Sequence, residues 1–161
     1  MKQLLEKYGV RAGMAACLLA FVLLIIPAVM EESPSSTPFD TVVQKTLENV
    51  DASVYPAQDA AYVRQALGLN VQDYEGLYFG RQDDGMKAEE VLIVKFAPDQ
   101  KESLEQAVEA RIEARKTAFE NYAPEAAALM EQAVVDIHPN YLFYGTGEAA
   151  GRMAGQFGSV L

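Results

Sequence analysis

The chain has 161 residues, half of them hydrophobic, with 13 Lys and Arg against 23 Asp and Glu. A formal net charge of −10 argues against binding nucleic acid and against docking on an anionic lipid surface, because both select basic proteins. A single cysteine and a single histidine exclude a disulfide framework and a zinc site of ordinary type.

Residues 1–11 carry Lys2, Lys7 and Arg11 and are expected to be cytoplasmic. Ala12 to Met30 (AGMAACLLAFVLLIIPAVM) follows, 19 residues without a charge. As a helix this run matches the roughly 30 Å hydrocarbon core of a bilayer. Glu31 and Glu32 come next, and the first cation beyond them is Lys45. That asymmetry places the N-terminus in the cytoplasm and the rest of the chain outside. Met30 is too large to precede a signal-peptide cut at Glu31. Cys17 sits inside the apolar run rather than after it, so Met14-Ala15-Ala16-Cys17 is not a lipoprotein signal. The expectation is an uncleaved single-pass transmembrane helix at 12–30, with Pro27 kinking its outer end.

Residues 31–37 (EESPSST) read as a short polar linker of at most about 25 Å, followed by one extracytoplasmic domain over 38–161. Beyond Met30 there are 10 Lys and Arg against 22 Asp and Glu. Thr37 caps a first helix with Pro38 at its first position, and Phe39, Val42, Val43, Leu47 and Val50 recur at helical spacing to about Ala52. Val54 to Gln58 reads as a loop. Asp59 caps a second helix, and Gly68 ends it. Asn70 to Glu75 suggests a single helical turn. Leu77-Tyr78-Phe79 is a short strand, and Asp84-Gly85 is a hairpin signal. Glu90 to Phe96 (EVLIVKF) is apolar on both faces apart from Lys95, as a central strand is. Asp99 is expected to cap a long helix reaching about Tyr122. Pro124 restarts a helix through Glu131, strands follow over Ala133 to His138 and Tyr141 to Tyr144, and a glycine-rich helix spans Glu148 to Val160. Two hairpins joined by helices make an α+β domain, with an antiparallel sheet of about four strands and helices on one face.

Lys87-Ala88-Glu89-Glu90-Val91-Leu92-Ile93-Val94-Lys95, Arg111 to Tyr122 (RIEARKTAFENY), Pro124-Glu125 and Asn140-Tyr141 occur in that order. Together they resemble an uncharacterised family found in anchored or lipidated envelope proteins of Gram-positive bacteria, the domain of unknown function four-three-five-eight. The resemblance runs from about Phe39 to the C-terminus, with the glycine-rich tail as a departure. It implies a place in the cell envelope, and genes of the family often lie near membrane O-acyltransferases of the envelope, an association rather than a mechanism. It brings no activity, catalytic residue or cofactor with it.

The unusual constellation lies on the long helix. Leu104, Val108, Ile112, Phe119 and Tyr122 form an apolar stripe, while Glu102, Glu105, Glu109, Glu113, Lys116 and Glu120 cover a solvated arc. Arg111 and Arg115 fall within the stripe, one turn apart. Two guanidinium groups against a core cost several kcal/mol per ion unless paired. One account pairs them internally with Glu89, Glu90, Asp136 or Glu125, or lets them snorkel at a sheet edge. The other makes them a clamp for an external carboxylate or phosphate, for which the arginine fork is suited. Internal pairing is the expectation. Lys95, alone among apolar neighbours on its strand face, is either a ligand residue or, as expected, the partner of an acidic helix residue, and His138 is expected to be a satisfied strand-end histidine. Gly145-Thr146-Gly147-Glu148-Ala149-Ala150 matches a dinucleotide fingerprint but lacks both a βαβ unit and the later acidic residue. Gly147, Gly151 and Gly155, four apart, suggest close packing of the last helix on the sheet. No metal site and no cofactor are expected. The sequence suits a membrane-anchored binding or accessory module of the envelope, whose partner is an envelope or membrane protein. The alternative is an enzyme or accessory factor acting on an anionic envelope substrate.

Overall fold

A computed structural model of the chain describes residues 33–51, 53–82 and 84–161. The expected anchor at 12–30 lies outside them. Among the described residues no helix is long and apolar enough to cross a membrane. Pro34–Leu161 forms one unit.

The fold is α+β, built on a four-stranded antiparallel sheet. The strands are β1 (Gly76–Arg81), β2 (Glu90–Lys95), β3 (Val134–Ile137) and β4 (Tyr141–Gly145), in the order β1-β2-β4-β3. As its two apolar faces require, β2 is interior, paired from Arg81↔Glu90 to Gly76↔Lys95 on one side and from Val91↔Gly145 to Lys95↔Tyr141 on the other. The helices are α1 (Phe39–Thr46), α2 (Ala60–Leu67), α3 (Lys101–Glu120), α4 (Pro124–Glu131) and α5 (Ala150–Val160).

They do not share one face. Leu92 and Val94 join Phe79, Leu142 and Tyr144 in a core with Val63, Leu104, Val108, Phe119 and Met130, which places α2, α3 and α4 on that side. Val91 and Ile93 join Tyr141 and Phe143 in a second core with Val42, Met153 and Phe157, so α1 and α5 cover the other side. The physical reason is in β2 itself: a strand with no polar face needs cover on both.

Local chemistry explains the ends. The Asp59 carboxylate accepts from the Tyr62 N–H at 2.8 Å, and Gly68 ends α2 in the left-handed conformation at φ 69°. The first helix stops at Thr46, and Asn49 turns the chain at φ 62°, short of the expected Ala52. Asp99 does not cap the long helix. A 3-10 turn over Pro98–Gln100 precedes α3, where the Gln100 side-chain carbonyl accepts from the Ala97 N–H at 2.9 Å. Gly85 lacks the positive φ of a tight hairpin turn, and Asp84-Gly85 lies within a wider 82–89 connection in which Asp84 Oδ1 accepts from the Met86 N–H at 2.9 Å. The segment read as a loop at Val54 to Gln58 contributes a bridge, Ala57↔Gly80, which shields the edge of β1. Gly151 and Gly155 are exposed, and a Cβ at either would meet nothing within 4 Å. The last helix packs through Ala150, Met153 and Phe157, not through a glycine stripe.

Residues 34–37, expected in the linker, are bonded to the domain. Ser35 N–H donates to Asn140 Oδ1 and the Asn140 amide donates back to the Ser35 carbonyl, both at 2.9 Å. Thr37 Oγ1 donates to the Val160 carbonyl at 3.0 Å, so it is unavailable as a helix cap and Pro38 takes the capping position.

Candidate functional site

At the Glu90 end of the sheet, strand alternation puts Arg81, Glu90 and Tyr144 on the face covered by α2 and α3. The Glu90 side chain is fully buried. Arg111 reaches it from α3 with Nε to Oε1 at 2.9 Å and Nη2 to Oε2 at 2.7 Å, a two-point fork. Tyr144 donates its hydroxyl to Oε1 at 2.7 Å, and Arg81 Nε lies 3.8 Å from Oε2. Arg81, 4% exposed, also bonds the Tyr62 hydroxyl and donates to the Asp84 carbonyl at 3.1 Å. Burial draws the Arg111 pKa down, but the hydrogen bonds and charge of Glu90 outweigh it and the net shift is upward. Burial, and then the Glu90 carboxylate, push the Tyr144 phenol well above its ordinary value.

The internal pairing expected for the two arginines therefore divides. Arg111 is locked to Glu90. Arg115 donates through Nη2 to the Lys87 carbonyl at 2.7 Å, and its guanidinium stacks 4.2 Å from the Phe119 ring centroid. Its Nε has no hydrogen-bond partner. Burial lowers its pKa, Glu90 opposes this, and the like charges of Arg111 and Arg81 add to the lowering. Lys95 meets an acidic residue, but not one on a helix: its partner is Glu75, in the bend just before β1, at 2.5 Å, and it lies 5.7 Å from the Tyr141 ring. Tyr122 is not core: it is 52% exposed, with its ring against Phe119. His138 Nε2 lies 3.4 Å from Asp136, with its ring edge-on to Phe157.

Both oxygens of Glu90 are engaged, so this carboxylate is not poised to take a proton from a ligand. The cluster instead ties α2, α3, β1, β2 and β4 together. Sequence reasoning overlooked Arg81, Tyr62 and Tyr144. The signal for Arg81 was present, since extending the first strand two residues past Phe79 sets it on the same face and opposite Glu90.

Beside this cluster the surface opens into two adjoining grooves of about 450 and 520 Å³, which share Glu89 and Leu129. The first lies between the β1–β2 connection and the start of α4, with Lys87, Tyr122 and Glu125 in its wall. The second lies against the start of α5 and is lined by Asp51, Tyr55, Glu148 and Arg152. The Gly145-Thr146-Gly147 segment shapes this region. Thr146 Oγ1 accepts from the Glu90 N–H at 3.0 Å and donates to the Ala88 carbonyl. Gly147, at φ 92°, lets the Glu89 side chain pass, since a Cβ there would stand 2.7 Å from Glu89 Cγ. Burial, and then the Glu89 charge, push the Tyr55 phenol up to about 12, with Arg152 acting the other way. Among the described residues no group of three His, Cys, Asp or Glu is placed to hold a metal.

No curated protein and no solved structure matches the chain. A family model does, the domain of unknown function DUF4358, over residues 48–146. The match takes in α2 to α4 and all four strands, with Arg81, Glu90, Arg111 and Tyr144, and leaves α1 and the glycine-rich α5 outside. Matched over more than half its length, the chain belongs to the DUF4358 family.

Proposed function

We propose that the chain is a membrane-anchored binding or accessory module of the bacterial cell envelope, with its α+β domain outside the membrane. The observation that carries this reading is the uncharged run Ala12 to Met30, with Lys2, Lys7 and Arg11 before it and Glu31 and Glu32 after it. The DUF4358 membership supports it through the envelope setting that the family resemblance implies. Protease added to intact protoplasts of the producing cell is expected to digest the domain. A protected domain, or a mature N-terminus near Glu31, overturns the topology.

A second reading is an enzyme or accessory factor for an anionic envelope substrate, such as one acting beside a membrane O-acyltransferase. It draws on Arg115, whose Nε is unbonded, more than on Arg111, whose fork is filled by Glu90. Turnover of an anionic envelope fragment by the purified chain, lost in Arg115→Ala, would establish it.

A further inference from the structure

Four carboxylates line the paired grooves: Asp51, Glu89, Glu125 and Glu148. Their cationic neighbours there are Lys87 and Arg152, and among the described residues none of the four carboxylates forms an ion pair. Glu89 belongs to both grooves, and the missing side chain of Gly147 leaves the space it occupies. Of the three large hydrophobic residues that the described part of the chain exposes, two stand here: Met86 at 56% and Tyr122 at 52%. Exposed methionine and tyrosine beside a concave surface are characteristic of protein recognition. The unpaired carboxylates set the sign of the partner.

Resting on the reading of the chain as a binding module, we propose that the Glu89 groove receives a basic segment of an extracytoplasmic partner protein. A lysine or arginine of that segment meets Glu89, and an adjacent apolar side chain lies against Tyr122 and Met86. An anionic lipid surface is disfavoured by the same carboxylates. The net charge of −12 beyond Met30, from 10 Lys and Arg against 22 Asp and Glu, draws a basic partner by long-range attraction.

The test uses the whole chain. In cells, a photo-crosslinking amino acid replaces Met86 or Tyr122, and Glu109 on the solvated arc of α3 serves as control. In vitro, the detergent-solubilised chain is titrated with a labelled Gly-Ser peptide carrying Lys-Phe-Lys, and with its Glu-Phe-Glu counterpart. Expected are crosslinks from 86 and 122 to one other protein, absent from 109 and abolished by Glu89→Lys. The lysine peptide should bind at least fivefold more weakly to Glu89→Gln, with an unchanged thermal midpoint, and the glutamate peptide should not bind. Crosslinking to another protein from 109 but not from 86 or 122 overturns the groove while leaving the binding module standing. Crosslinks from 86 and 122 to a second copy of the chain overturn the basic partner. Equal affinity of both peptides, or of both Glu89 forms, overturns it as well. The absence of protein crosslinks at all three positions overturns the binding module together with the groove.

Discussion

Arg111 holds Glu90 by two parallel hydrogen bonds of 2.9 and 2.7 Å across the junction of α3 and β2, where the carboxylate has no access to solvent. Removing one partner of such a pair leaves an uncompensated buried charge, which costs more than the pair itself contributes. Arg111→Ala is expected to destabilise the domain by about 3 kcal/mol, toward the low end for a buried pair because Tyr144 and Arg81 still attend the carboxylate. Arg115→Ala loses one bond to a carbonyl and a ring contact but relieves repulsion, so about 1 kcal/mol is expected. Urea unfolding of the two variants checks the order. Equal losses would mean that the Glu90 fork is not the stronger tie.

Alkali should unfold this domain through its tyrosines. Tyr144 is held well above 10 by burial and then Glu90, Tyr55 at about 12 by burial and then Glu89, and Tyr141 at about 12 by burial and then Glu75. Below pH 10 each phenol is protonated in both states, and its contribution to stability is fully present. Above pH 10 the unfolded chain loses these protons first, so stability falls as pH rises toward 12. The slope is up to about 1.4 kcal/mol per pH unit for each tyrosine. Urea midpoints measured from pH 9 to 11 should drop only above 10. Tyr144→Phe should flatten the slope.

How much of this was legible in the chain depends on whether one element or two decide a feature. Apolar side chains on both faces of Glu90 to Phe96 place β2 in the interior, and Asp59 with Gly68 bounds α2, because those signals are local. Arg111 stands out as a charge within an apolar stripe. The identity of its partner depended on strand register, which is a property of two strands at once. Arg81 was overlooked for that reason, and so was the cover on both faces of the sheet, although the same apolar pattern on β2 demanded it. The polar composition of residues 34–37 suggested a linker, whereas their bonds go to Asn140 and Val160, over a hundred residues away. Composition carries no information about such contacts.

The glycines divide into two kinds, and substitution should separate them. Gly151 and Gly155 lie in α5 with open space where a Cβ would be. Alanine at either removes conformational freedom from the unfolded chain and is expected to stabilise by about 0.5–1 kcal/mol. At Gly147, φ 92° and the Glu89 contact at 2.7 Å make alanine unfavourable on both counts. Gly147→Ala should lower the thermal midpoint and release Glu89 from its position between the grooves. A midpoint raised by all three substitutions would contradict this division.

The N-terminal boundary of the domain offers the last measurement. A fragment beginning at Pro38 keeps every helix and strand of the described residues, yet it removes the Ser35 bonds to Asn140 and the Thr37 bond to Val160. It also removes the Thr37 carbonyl, which accepts the Tyr141 hydroxyl at 2.7 Å. Ordering four residues costs roughly what their own hydrogen bonds contribute, so the first three bonds give little net difference. Tyr141 is a different matter, because its ring is fully buried and the hydroxyl loses its acceptor. A buried group left unsatisfied costs about 1–3 kcal/mol. The fragment 38–161 should therefore be less stable than 34–161 by about that amount. Tyr141→Phe then discriminates the cause, since it should destabilise the longer fragment and restore most of the loss in the shorter one. Equal effects of Tyr141→Phe in both fragments would place the difference elsewhere in residues 34–37.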